Sequence, residues 1–339
     1  MYSDEDLDAA VAAGVLSAEA AAGFRAHVEQ AHCTRVVDEE HFRLVNSFND
    51  IFATIAGTLV LVATGWIAAS IAHGLIGAAV AVTAWGLAEF FTRKRRMALP
   101  SILFLLAFAG GVFVALVPEV DGNILKPAAG AFGIKIALAA AVTAACTWLH
   151  WRRFRVPITV AAGAAALIGV AVGLLLALTP DLSKWMNGIL FAAGLSVFAL
   201  AMYWDMTDPL RQTRRADVAF WLHLLAAPLI VHPVFMFFRI FSETPGIGNA
   251  AVVVLLYVVM AIVALIIDRR ALMVSALFYV LAAISAVLKE FGALGINVAL
   301  TALIIGSTLL MLSAFWHASR ACVAGRLPES WQQKLPPRR

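Results

Sequence analysis

The sequence predicts an all-α, polytopic integral membrane bundle. About ten transmembrane helices are expected, arranged as tandem helical hairpins with the N-terminus and C-terminus cytoplasmic. Three observations predict it. Of the 339 residues, 62% are hydrophobic and 14% charged, against roughly half and a quarter in a soluble domain, so the excess apolar surface must face lipid. The apolar residues fall into ten runs of spanning length. The cations between those runs gather on one predicted side of the membrane.

Taken in order, residues 1–49 read as an acidic cytosolic segment holding nine Asp and Glu against three Arg. Its start, MYSDEDLDAA, lacks the basic and then apolar order of a cleaved signal peptide, so the first span is expected to act as its own insertion signal. The stretch LDAAVAAGVLSAEAAAGFRAHVEQA reads as two short helices broken at Gly14, with Ser17 capping the second. Across residues 36–52, Val37, Phe42, Val45 and Phe48 fall near one helical face, the pattern of an amphipathic lead-in at the membrane surface. The transmembrane domain occupies residues 50–318. Its spans lie near 50–72, 74–92, 98–118, 133–151, 156–178, 186–204, 217–240, 249–267, 271–289 and 294–316. Residues 319–339 form a basic cytosolic tail.

Charge orders these spans. With the N-terminus inside, the inner segments hold RKRR (93–96), WRRFR (151–155), RQTRR (211–215), DRR (268–270) and the tail. Only Lys126, Lys135, Lys184, Arg239 and Lys289, of 25 Lys and Arg, fall outside, the bias expected of cytoplasmic loops. Trp148, Trp151, Trp204, Trp221 and Trp316 fall near the same inner edges. Arg pairs recur at 95–96, 152–153, 214–215 and 269–270. Each opens an outward helix, an outer loop and a returning helix, so the repeating unit reads as a hairpin closed on the outer side. Charge bias and bilayer thickness alone would set a similar period.

The N-terminal turn Gly14-Val15-Leu16-Ser17, followed by tandem hairpins, resembles a loose set of bacterial multi-spanning membrane proteins that open with a short cytosolic helical segment. The resemblance covers mainly residues 7–70. It implies a bacterial inner-membrane location and carries no activity or residue role.

Ionisable groups inside apolar spans mark functional candidates. RRADVAFWLHLLAAPLIVHPVF (214–235) holds Asp217, His223 and His232, with Pro228 and Pro233 expected to interrupt the helix. His223 and His232 stand about 13 Å apart along an ideal helix and on opposite faces, so they cannot share one metal ion there. Asp217 reads as a helix cap or a partner of the arginines. Glu89 in the second span would pair with His223 if the two helices touched. His150, Asp205, Asp268 and His317 end returning helices and read as interfacial. GVAVG (169–173) reads as a close helix contact.

Cys33, Cys146 and Cys322 are scattered and suggest no disulfide framework, and His32-Cys33 with His41 fits no metal-ligand spacing. The phosphate-loop, dinucleotide, zinc-protease and serine-hydrolase motifs are missing. No cofactor is expected, nucleic-acid binding has no support, and catalysis is not the favoured reading. Two functions fit best: a transporter or permeation protein for a small solute or proton, and a non-catalytic scaffold or sensor signalling to a protein partner through its N-terminal segment. A third, an intramembrane zinc hydrolase resembling the ceramidase and adiponectin-receptor group, needs three converging ligands. In every case the lipid bilayer is a partner.

Overall fold

The computed structural model describes residues 10–24, 48–117, 131–179, 184–208, 213–237, 247–269 and 314–326, with Leu7 and a few isolated positions from 299 to 311. Contacts divide the chain into Met1–Phe42 and Arg43–Arg339. In the first unit, one helix stops at Gly14, whose φ of 68° lies in the left-handed region where glycine costs least. The next helix begins after Ser17, whose Oγ accepts the Ala20 amide at 3.1 Å as an N-cap.

The second unit is built from long helices: α1 (Phe48–Ile71), α2 (Ile76–Ala88), α3 (Ala98–Leu116), α4 (Ala131–Phe154), α5 (Ile158–Leu178), α6 (Met186–Met206), α7 (Arg214–Phe237) and α8 (Ile247–Ile267), followed by the short α9 (Trp316–Ala324). A π-helical turn, Glu89–Lys94, extends α2. Seven of these segments, from Phe48 to Phe237, are long and apolar enough to cross a membrane, and within α8 the stretch Leu255–Ile267 is apolar. No strand occurs among the described residues. The first eight expected spans coincide with these helices. Those at 271–289 and 294–316 lie outside the described residues apart from isolated positions and residues 314–316, as do residues 36–47 of the lead-in and 118–130 of the longest loop expected outside. Phe48 to Phe52 already belong to α1. Residues 316–324 of the region taken as span end and polar tail are a helix, and Trp316 and Trp221, expected at an interface, are buried.

The most extensive pairing is between helices that flank a basic turn: α4 on α5, α6 on α7 and α2 on α3. Pairs joined across the other connections, α1 with α2, α3 with α4 and α5 with α6, touch far less. The tight hairpin is therefore closed on the basic side, the reverse of the unit expected from the Arg pairs. Its cause is a small-residue contact that occurs twice. A Cβ added to Gly77 of α2 would run into the Gly111 carbonyl and the Ala115 backbone of α3, and one on Gly111 into Gly77 and Ala81. Gly133 and Ala137 of α4 meet Gly173 and Ala177 of α5 in the same reciprocal way. Four Gly-xxx-Ala steps thus let two helix pairs approach backbone to backbone, the packing available where lipid removes the hydrophobic drive. Gly169, a turn before Gly173, faces the Ala140 Cβ.

The third pair departs from this pattern. Pro228 and Pro233 lie inside α7, yet the helix runs unbroken from Arg214 to Phe237, correcting the expected interruption. Proline removes one ladder bond and crowds the carbonyl four residues earlier, which for Pro233 is that of Leu229. A Cβ on Gly194 of α6 would meet the Leu229 carbonyl carbon at 2.8 Å. The crowded stretch of α7 is seated where its neighbour has no side chain.

Candidate functional site: a buried aspartate–histidine–arginine joint

Near the basic end of α6, a single carboxylate organises three helices. Asp205 lies one residue before the end of α6, and His223 lies in the third turn of α7. In an antiparallel pair, residues equally far from the connection face each other, and these two stand nine residues either side of Arg214. His223 Nε2 is 2.8 Å from Asp205 Oδ2. A carboxylate only accepts, so the imidazole carries its proton on Nε2 in this contact. Arg269, just beyond α8, donates from Nε to Asp205 Oδ2 at 3.2 Å and from Nη2 to Asp205 Oδ1. The same Nη2 donates to the Ala216 carbonyl at 3.1 Å. Arg269 therefore ties α6, the first turn of α7 and its own helix together.

The joint is closed to solvent. His223 is 0% exposed, Arg269 2% and Asp205 6%, and the Phe198 ring packs edge-on against the His223 ring at 5.4 Å. Burying these charges costs several kcal/mol per ion, repaid only when the partners are well placed and further hydrogen bonds are made. The geometry meets that demand: both carboxylate oxygens are used, and Arg269 has an additional carbonyl. The adjacent Asp268, held in the left-handed region at φ 58°, turns to the other side. Its Oδ1 accepts the Trp316 indole at 3.0 Å and pairs with Arg320 Nε at 3.3 Å. Asp268 and Arg320 are both buried, and apolar residues of α6, α7 and α8 pack around Trp316.

The sequence-expected residues separate. His223 is in the joint. Glu89 is not its partner: Glu89 Oε1 takes Arg153 Nε of α4 at 2.8 Å, Oε2 takes Arg153 Nη2 at 3.1 Å, and Arg93 lies 3.3 Å away. Asp217 is half-buried in the first turn of α7, where its negative charge suits the helix dipole. The cap is supplied elsewhere, by Thr213 Oγ1, which accepts the Arg215 amide at 3.2 Å and donates to Asp208 at 2.6 Å. His232 is half-buried, over two turns beyond His223. Asp205 and Asp268, read as interfacial, are buried, and so is Arg320, assigned to the tail. His150 is also buried rather than interfacial: its Nδ1 is 3.3 Å from Thr159 Oγ1, with the rings of Trp85, Phe108 and Phe154 around it.

The one signal that points to Asp205 depends on knowing which side the hairpin closes on, and no sequence signal points to Arg269. An aspartate and a histidine equidistant from a basic connection oppose each other once the hairpin is closed on that side. Closing it on the outer side pairs His223 with the wrong helix.

Among the described residues no three His, Cys, Asp or Glu converge to hold a metal ion. The chemistry available to the joint is proton exchange and ion pairing. No family model, curated protein or solved structure matches the chain.

Proposed function

We infer that the chain is a multi-pass membrane protein that works as a non-catalytic scaffold or sensor, set in a bacterial inner membrane with both termini cytoplasmic. The supporting observation is the joint itself: among the described residues, Asp205 of α6, His223 of α7 and Arg269 beyond α8 bond to one another and are closed to solvent. Two surface grooves agree with this reading. One of about 420 Å³ runs along α2, α3 and α4 between Trp85, Phe108, Val112 and Val142, and one of about 270 Å³ lies between the far ends of α6 and α7. Neither is lined by Asp205, His223 or Arg269. The acidic N-terminal segment is the part that would meet a protein partner.

Proton-linked permeation is the second reading, favoured by the presence of a histidine–carboxylate pair inside membrane-compatible helices. Flux through purified protein in liposomes separates the two. The scaffold reading expects proton and solute leak no faster than in empty liposomes. A flux present in the wild type and lost in His223→Ala would establish permeation in its place. In the native membrane, deletion of residues 1–35 is expected to remove the partner that co-purifies with the full chain. An unchanged set of partners would remove the segment from the mechanism.

A further inference from the structure

Two neighbouring basic segments, residues 93–96 between α2 and α3 and residues 152–155 from the last turn of α4 into the turn before α5, carry seven Arg and Lys side chains, all exposed. Residues 85–100 and 146–160 contain one acid, Glu89. That acid clasps the turns together through Arg153 and Arg93 and leaves a large positive excess. Arg96 and Arg155 occupy equivalent places in the two turns with φ of 52° and 53°. Glycine adopts that conformation at far lower cost, and arginine there keeps a charge at the tip of each turn.

Two further arginines are held at a definite depth. The Arg95 guanidinium lies over the Phe90 ring at 5.6 Å from its centroid, and that of Arg152 over the Trp148 ring at 5.0 Å. Phe90 is 44% and Trp148 55% exposed, on segments apolar enough to cross a membrane, so these faces meet lipid at the edge of the apolar layer. A cation–π contact uses the flat face of a guanidinium and leaves its in-plane N–H donors, whose fork matches phosphate oxygens. Neither the Arg95 nor the Arg152 side chain makes a hydrogen bond or ion pair among the described residues.

We propose that this twin-turn surface is a docking site for the phosphate headgroups of anionic phospholipids. Arg95 and Arg152, steadied on their aromatic rings, contact phosphate, and Arg96 and Arg155 add positive field. The exposed rings directly beneath the guanidinium groups select a headgroup attached to acyl chains over a free anion. The site is independent of whether the bundle conducts.

The test uses the full-length protein in nanodiscs of phosphatidylcholine mixed with phosphatidylglycerol, with the lipids retained by the protein counted by native mass spectrometry. The wild type is expected to retain phosphatidylglycerol preferentially, and inorganic phosphate is expected not to displace it. Arg95→Gln/Arg152→Gln should lower the preference by about fivefold for each arginine removed. Arg95→Lys/Arg152→Lys, which keeps charge but loses the planar fork, should fall between. Arg214→Gln/Arg215→Gln, in a separate basic turn, should leave the preference unchanged. Both target side chains are exposed and outside the Glu89 clasp, so the thermal transition should not move. Lack of preference in the wild type, full preference in the glutamine pair, or displacement by inorganic phosphate would overturn the site. An equal loss in the Arg214/Arg215 pair would also overturn it, showing general basic charge instead of a site.

Discussion

At the residue scale, Asp205 is the group on which the joint depends, because it is the common acceptor for a histidine and an arginine that are both buried. Asp205→Asn keeps the shape but leaves Arg269 in the interior without its counter-charge. Breaking a buried pair from one side costs about 3–5 kcal/mol, and that loss is expected in the unfolding midpoint measured in mild detergent. Removing both charges, as in Asp205→Asn/Arg269→Met, should cost less than Asp205→Asn alone, since no buried charge is then stranded. If the double variant is the less stable of the two, Arg269 does not depend on Asp205. His223 was legible in the chain because an ionisable residue deep in an apolar run stands out. Asp205, Asp268 and Arg269 were not, because a charge at the end of an apolar run has the same sequence signature whether it sits in the headgroup layer or folds inward. Depth at a helix end is decided by the neighbours, which periodicity along one helix does not report.

At the scale of elements, apolar run length located the helices closely, and α3, α5 and α6 begin or end within two residues of the expected limits. Pairing was misjudged. An Arg-rich turn every 55 to 62 residues is produced equally by hairpins closed on the basic side or on the opposite side. The discriminating residues were the glycines. Gly77, Gly111, Gly133 and Gly173 each precede an alanine by four positions, so both small residues share a face, and the structure places those faces together across the basic turns. This makes a graded prediction. Gly133→Ala or Gly173→Ala forces a methyl group onto backbone that has no rotamer to yield, and should destabilise by about 1–3 kcal/mol, the usual cost of overpacking. Gly86→Ala and Gly110→Ala meet nothing within 4 Å and should stabilise the bundle by about 0.5–1 kcal/mol, the helix-interior difference between the two residues. Equal effects at the two kinds of site, measured as detergent unfolding midpoints, would mean that the close contacts do not hold the hairpins.

At the scale of the whole molecule, the paired helices run antiparallel, as the contacts of Gly77 with Ala115, Gly133 with Ala177 and Asp205 with His223 require, so Arg96, Arg155 and Arg215 form one group of helix ends and Leu116, Thr179 and Trp185 the opposite group. The charge bias that led to the cytoplasmic placement of the first group is a property of the chain as threaded, and labelling tests it directly. In a background with Cys33, Cys146 and Cys322 replaced by serine, single substitutions Arg96→Cys, Arg155→Cys and Arg215→Cys are expected to resist a membrane-impermeant maleimide in intact cells and to react once the membrane is permeabilised. Leu116→Cys, Thr179→Cys and Trp185→Cys, whose native side chains are exposed at the opposite helix ends, are expected to react in both conditions. The inverse pattern would turn the molecule over and put the anionic-lipid surface on the other leaflet. Labelling that splits the members of either group would break the grouping itself, and with it the assignment of Asp205, His223 and Arg269 to a common end of the bundle.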